Sequence, residues 1–390
     1  MLNNDYTTQL LDLEEVIIKK VEKDAESLCI HIELPKKEHH CPACNAATTY
    51  VHDYRYQRIK DIPFGRRTTL LLRKRRYCCP CCGKRFYEDN SFLGRYRRAT
   101  KRMIQDIIDS FRKLSPASEI AAHYNISLTT VFRYFDSVNY GHSALPEVLS
   151  IDEFKGNADG EKYQTILTNP KDRKILDILP NRYENDLILH FKGCSDRENV
   201  RYFVTDMNPH FRNVAKICFP KAKIIADRFH VVRQAVWAME RVRKNEQKRL
   251  SDRFRKYFKR SKYLLNKKIE KLTDEEKDRL ALMLEISPKL AEAYRLKNEF
   301  IKIMNCKASQ IGKPQLIAWL YSVETVDLPE FNDCVRACRN WFAEILNSMD
   351  YPWTNGFTEG CNNKTKVLKR VCFGARNFRR FRNRILHCAN

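Results

Sequence analysis

The chain has 390 residues, of which 43% are hydrophobic and 11% aromatic; it is long enough for two or three domains, and the composition excludes a disordered protein. Lysine and arginine outnumber aspartate and glutamate by 72 to 48, a net charge of +24, which favours nucleic acid as the partner. No apolar run is long enough to span a bilayer, and the acidic, amphipathic stretch from Met1 to Lys20 is unlike a signal peptide, so no membrane partner is expected and the cytoplasm is the expected compartment.

The positive charge is uneven. Residues 53–102 carry sixteen Lys/Arg against four acids, and residues 361–390 carry nine against none. The first stretch is interleaved with Tyr54, Tyr56, Tyr77, Phe86 and Tyr96, a pattern suited to a phosphate backbone. Fifteen cysteines in a reducing compartment argue against disulfides and, where clustered, for metal ligation.

The first cluster is Cys41-Pro42-Ala43-Cys44, and the second is Cys78-Cys79-Pro80-Cys81-Cys82-Gly83. Two Cys-x-x-Cys knuckles present four thiolates, enough to close a tetrahedral structural zinc site with no open position for catalysis. The doubled cysteines leave two registers, 78/81 and 79/82. The second repeats the Cys-Pro-x-Cys order and places Gly83 where the turn needs positive φ, so Cys41, Cys44, Cys79 and Cys82 are the expected ligands. A strand around residues 68–73 between the knuckles fits a zinc ribbon.

Apolar spacing predicts three helices next, over residues 99–113, 118–124 and 128–135, with a turn at Asn125-Ile126-Ser127 and Ser127 capping the third. This is the pattern of a helix-turn-helix, whose third helix would offer Thr129, Thr130 and Arg133 to a major groove.

From residue 146 the pattern becomes strand, strand, strand, helix, strand, helix, strand. The strands fall at 148–154, 163–168, 174–179, 200–205 and 222–226, and Asn208-Pro209 opens the second helix. Hairpins followed by alternating helices predict an α/β catalytic core with a ribonuclease-H-like mixed sheet. In that arrangement the first and fourth strands are parallel neighbours, so Asp152 and Asp206 would converge at the carboxyl edge. Adjacent carboxylates need a cation, and Mg²⁺ in a two-ion site would activate a water or a 3′-hydroxyl for phosphoryl transfer. After Asp227-Arg228-Phe229-His230 the chain is helical and charged to about residue 350, which reads as a helical insertion at about 231–350.

The segment Trp353-Thr354-Asn355-Gly356-Phe357-Thr358-Glu359-Gly360-Cys361-Asn362-Asn363-Lys364 closely resembles the carboxy-terminal signature of the ISL-three insertion-sequence transposases. The resemblance extends to Ser150-Ile151-Asp152-Glu153-Phe154, Thr205-Asp206-Met207, Asp227-Arg228-Phe229-His230 and the cysteine knuckles. It implies a DDE transposase of a bacterial insertion sequence, acting at the nucleoid. Such an enzyme cuts double-stranded DNA at terminal inverted repeats and joins the ends to target DNA with Mg²⁺, or Mn²⁺ in its place, in a synaptic homo-oligomer. Carried over, Asp152 is the first acid and Glu359 the third. Asp206 is favoured as the second, with Asp227 and His230 as near-site supports and Asp227 as the alternative acid. Lys364, Lys366, Lys369 and Arg370 would line a DNA-facing helix.

The expected organisation is a segment 1–40, a zinc-binding domain 41–95, a helix-turn-helix domain 96–145 and the catalytic domain 146–390. Two other functions fit parts of the pattern: a zinc-ribbon and helix-turn-helix regulator without catalysis, and a nuclease that hydrolyses without joining.

Overall fold

The computed structural model describes residue 13 and residues 16–94, 96–259 and 261–389. Most of the amphipathic segment expected at residues 1–20 lies outside the described residues. No helix among the described residues is long and apolar enough to cross a membrane. The chain divides into two compact units: residues 1–140 with 368–374 and 379–390, and residues 141–367 with 375–378.

The first unit is built on a sheet of β1 (Ile17–Lys23), β2 (Ser27–Glu33), β5 (Val51–Asp61), β6 (Arg67–Cys78) and β7 (Arg85–Tyr87), with a small hairpin of β3 (His39–His40) and β4 (Ala47–Thr48) beside it. The order is β1-β2-β6-β5, with β7 on β6. Strand β6 shows why: Thr68, Leu70, Leu72, Arg75 and Tyr77 are buried, and most of the residues between them are partly exposed, the two-residue period of a half-buried strand. Leu70 and Leu72 join Ile30, Ile32 and Ile59 in one core. The segment before residue 41 therefore contributes two strands to the same sheet as the cysteine knuckles, a pairing that the sequence left unassigned.

Three helices follow, α1 (Lys101–Ser110), α2 (Ala117–His123) and α3 (Leu128–Phe135). Met103, Ile107, Phe111, Ile120, Val131 and Phe135 form their shared core. Asn125 turns the chain at φ 49°, and the Ser127 side chain accepts from the Thr130 amide as the cap of α3. Both are as the sequence expected.

The second unit holds β8 (Val148–Phe154), β9 (Gln164–Asn169), β10 (Lys174–Leu179), α4 (Glu184–Lys192), β11 (Tyr202–Thr205), α5 (Pro209–Cys218) and β12 (Lys223–Ala226). The sheet order is β10-β9-β8-β11-β12, with β8, β11 and β12 parallel and β9 and β10 antiparallel. Alternation along β8 sorts its two faces. Leu149 and Ile151 face the core with α4 and α5, through Leu187, Phe191, Phe211 and Val214. Val148 belongs to the other face, with Val204, Ile225, Tyr351 and Trp353; Ser150 and Asp152 share that face by register.

A helical region follows β12: α6 (Arg228–Arg249), α7 (Asp252–Phe258), α8 (Lys262–Asn266), α9 (Asp274–Ile286), α10 (Pro288–Met304), α11 (Ser309–Glu324), α12 (Asn332–Asn340) and α13 (Phe342–Asp350). It packs around its own core of Met239, Phe300, Trp319 and Phe331. The chain then enters α14 (Gly356–Val371) and α15 (Phe378–Ala389).

The end of the chain departs from the expected grouping of 146–390. Residues 368–374 and 379–390 pack within the first unit. There Arg384 donates to the Lys113 and Ser115 carbonyls, Arg380 pairs with Asp136, and His387 contacts the Tyr140 hydroxyl and the Ile108 carbonyl. Part of the basic run at 361–390 is thus spent on internal partners, because unfilled carbonyls near a packing surface need donors.

Candidate active site and zinc centre

In the head, the two knuckles bring Cys41, Cys44, Cys79 and Cys82 together, with all four sulfurs within 4.8 Å of one another. Cys41 Sγ lies 3.6 Å from Cys82 Sγ, and Cys44 Sγ lies 3.4 Å from Cys79 Sγ. Gly83 sits at φ +70°, and Cys78 and Cys81 stay outside the cluster, so the sulfurs converge in the 79/82 register. Amides at the turn do part of the work of a cation. Those of Ala43 and Cys44 hold the Cys41 thiol down to about 6, and that of Cys82 lowers Cys79. Four converging sulfurs, with Cys41 and Cys79 lowered by turn amides and Cys44 and Cys82 raised by the neighbouring sulfurs, fit a structural Zn²⁺, whose charge would ionise all four.

The second cluster lies at the carboxyl edge of the β8-β11-β12 sheet. Register places it: Val204 pairs with Ser150 and Thr205 with Ala226. Two residues on, the parallel strands carry Asp152 level with Asp206, and one residue further along β12 comes Asp227. Side chains at 148/150/152, 202/204/206 and 225/227 alternate onto one face, so the three aspartates form a row with neighbouring strands roughly 4.8 Å apart.

Their surroundings differ. Burial pushes the Asp152 carboxyl up to about 7 against the Glu153 amide, and the charge of Asp206 adds to the rise. Burial also raises Asp206, outweighing hydrogen bonds from the Thr205 hydroxyl and the Asn208 backbone. Asp227 is 1% exposed and caps α6. Its Oδ2 meets the His230 amide at 3.3 Å and Nδ1 at 2.9 Å, and its Oδ1 accepts from the Asn355 amide at 2.9 Å. Burial opposes its charge, yet these donors outweigh that and hold the carboxyl below its ordinary value. Asp227 is therefore ionised, so Nδ1 of His230 carries the proton. Burial lowers the basicity of His230, but Asp227 more than offsets it. The ring's Nε2 comes within 3.8 Å of Glu359 Oε1, and Asp227, His230 and Glu359 form one tight group.

Helix α14 reaches the sheet through polar side chains that the sequence reading missed. Ser150 Oγ donates to Asn355 Oδ1 at 2.6 Å, and the Thr358 hydroxyl lies 2.7 Å from Ser150 Oγ and 2.8 Å from Thr168 Oγ1. Asn362 Nδ2 donates to Asp152 Oδ2 at 2.9 Å. Asn355, Thr358 and Asn362 are all buried at helical spacing. A polar stripe of period 3–4 in a helix beginning Asn-Gly was the available signal. It places Glu359 in the first turn, one residue from Thr358, and links its helix to Asp152.

The remaining candidates sit on surfaces. Thr129 and Arg133 are exposed and Thr130 half-buried on α3. On α14, Lys364, Lys366 and Arg370 are exposed and Lys369 half-buried. At roughly 100° per residue, Lys364 lies across the exposed arc from Lys366 and Arg370, so the four do not share one face.

Comparison with known proteins agrees with this picture. The family model for ISL3 transposases of the DDE class, described as a transposase, matches residues 149–385. The model for the zinc finger of the IS204/IS1001/IS1096/IS1165 transposases matches residues 37–85. The transposase for insertion sequence element IS1001 of Bordetella parapertussis is 27% identical over 369 residues, covering 91% of this chain and 90% of that protein. The transposase for IS1557 of Mycobacterium tuberculosis is 23% identical over 241 residues, covering 55% of this chain and 54% of its own length. With its zinc head and its sheet-and-helix body both matched, the chain belongs to the ISL3 family of insertion-sequence transposases.

Proposed function

We propose that this transposase binds the terminal inverted repeats of its element, cleaves the DNA at the element ends and joins them to target DNA. In this reading the body is a ribonuclease-H-like core, supported by the β10-β9-β8-β11-β12 order, and Asp152, Asp206 and Glu359 are the catalytic acids. The observation that carries it is the pairing of Asp152 and Asp206 on parallel neighbours, both raised in pKa by burial.

Two half-buried carboxyls side by side, each raised by burial, suit a hard divalent ion, and the Oδ1 of Asn362, buried without a hydrogen-bond partner, leaves one more oxygen unpaired. Asp152, Asp206 and Glu359 would hold Mg²⁺, or Mn²⁺ in its place. The ion would supply Lewis acidity and an activated water or 3′-hydroxyl for in-line phosphoryl transfer. The chain's own groups prepare the site. Asn362 orients Asp152, while Asp227 fixes the His230 tautomer and turns Nε2 toward Glu359. Asp227 serves as a support because both its oxygens are already engaged and it lies two strands from Asp152. A second reading has one observation in its favour, the tight Asp227, His230 and Glu359 group, which would make Asp227 the second acid.

DNA recognition falls to the head and to α1–α3 as a helix-turn-helix, with Thr129, Thr130 and Arg133 reading a major groove and Lys366, Lys369 and Arg370, which share one arc of α14, meeting phosphates. Synapsis of two ends calls for a homo-oligomer. Strand-transfer assays on paired end duplexes test this function. Asp152→Ala, Asp206→Ala and Glu359→Gln are expected to lose roughly a thousandfold or more in cleavage, the equivalent of several kcal/mol, with end binding intact. Cleavage by Asp206→Ala but not by Asp227→Ala would transfer the second role to Asp227. Nicks without joined product would make the protein a nuclease.

A further inference from the structure

Within the first unit a groove of about 740 Å³ runs between the sheet and the three helices. Its lining includes Tyr56, Arg58 and Lys60 of β5, Arg98 of the connecting segment, and Thr130 and Arg133 of α3. Four of the lining residues are cationic and none is acidic. Tyr56 is 66% exposed at its rim, and Arg58, Arg98 and Arg133 are exposed.

The walls are tied together. The Lys60 amide donates to the Arg98 carbonyl at 2.8 Å, and the Thr100 amide donates back to the Lys60 carbonyl at 3.0 Å, adding the connecting segment to the free edge of β5. Lys60 Nζ donates to the Asn125 carbonyl at 2.6 Å, in the turn before α3. The Thr100 hydroxyl, which caps α1, donates to buried Asp61 at the end of β5. Strand β5 and helix α3 are thereby held at a fixed offset across the groove.

We propose that this groove seats the sugar–phosphate backbone of duplex DNA, with Arg58 and Arg98 as phosphate contacts that no sequence motif marks. The proposal rests on the DNA-recognition reading above and deepens it. Charge complementarity selects the occupant: an unopposed cationic channel with hydroxyls from Tyr56, Ser127 and Thr130 along it suits a polyanion with regularly spaced oxygens. Because β5 is fixed to the segment that carries α3, a backbone seated beside Arg58 and Arg98 sets the register at which Thr130 and Arg133 meet base edges. The groove positions; the helix specifies.

The test is fluorescence anisotropy with the full, zinc-loaded chain, using a duplex carrying the element's terminal repeat and a scrambled duplex of equal composition. Arg58→Ala with Arg98→Ala is expected to weaken binding to both duplexes by a similar factor, about tenfold or more. It should also flatten the salt dependence by roughly 1.8 in slope, about 0.9 for each lost phosphate contact. The double lysine variant, Arg58→Lys with Arg98→Lys, should keep the salt slope, which separates loss of charge from misfolding. Unchanged affinity and slope in a double alanine variant of normal zinc content would overturn the groove while leaving the transposase reading intact. Failure of the unaltered protein to bind either duplex would overturn DNA recognition itself.

Discussion

The sulfur cluster of the head and the carboxylate cluster of the body both gather anionic ligands, but they do so by opposite means. In the head, each pair of ligands lies within four residues, and the turn that presents them supplies amides that lower two of the thiols, Cys41 to about 6 and Cys79 below its ordinary value. In the body, the proposed ligands come from positions 152, 206 and 359, and burial raises Asp152 to about 7 and Asp206 above its ordinary value. The difference matches the role proposed for each metal. A cluster of four sulfurs, two of them already lowered by turn amides, has the ligand number of a closed structural site. Two neighbouring acids raised by burial are suited to an ion that still has open positions for reactants.

The sharpest way to break this contrast is to remove the structural metal. Cys41→Ser, or chelation of zinc, should unfold the head, since such sites contribute on the order of 10 kcal/mol to folding. Hydrogen exchange should show protection lost around residues 41–82 and kept in β8 to β12; uniform loss would mean that the two units do not fold separately. Next in size is Asp227→Asn. It leaves His230 without its carboxylate and should cost about 3–5 kcal/mol, read as a fall in the unfolding temperature, with cleavage reduced but present. Wild-type stability with no cleavage would instead mark Asp227 as a metal ligand.

A smaller effect concerns pH. The folded pKa of Asp152 is raised from 3.8 to about 7, so its contribution to stability is complete below about 3.8 and is lost as pH rises through about 7, on the order of 3 kcal/mol. Asp206 and His230, also raised, act in the same direction, whereas Asp227, lowered, loses its contribution only as pH falls through its depressed value. In zinc-loaded, magnesium-free protein the unfolding temperature should therefore drop across this window. The drop should be shallower in Asp152→Asn and disappear on adding Mg²⁺. The smallest expected change is Ser127→Ala, which removes the cap of α3 for about 1 kcal/mol. Thermal unfolding checks it, and no change would mean that the Thr130 amide finds water instead.

Much was legible beforehand because it is local. The knuckles, the cap at Ser127, the Asn208-Pro209 helix start and all five strands of the body follow from spacing, turn residues and period, which act over a few positions. The parallel pairing of the first and fourth strands, expected from the strand-and-helix sequence, is also found. Less legible were the strands at Ile17–Lys23 and Ser27–Glu33, which pair with each other and then with a strand forty residues later. The return of residues 379–390 to the first unit was likewise hidden, as its basic side chains read the same whether they face phosphate or a buried carbonyl.

By itself, then, the sequence determined which cysteines converge in the head, the element order of the body and the acids available, because each depends on residue type at short range. Only the tertiary structure decided how those acids differ. That Asp227 is clamped by His230 and Asn355, that Asn362 holds Asp152, and that Arg58 and Arg98 face α3 across a groove all depend on contacts between segments distant in the chain, where burial and charge set each group's state and no spacing encodes the meeting.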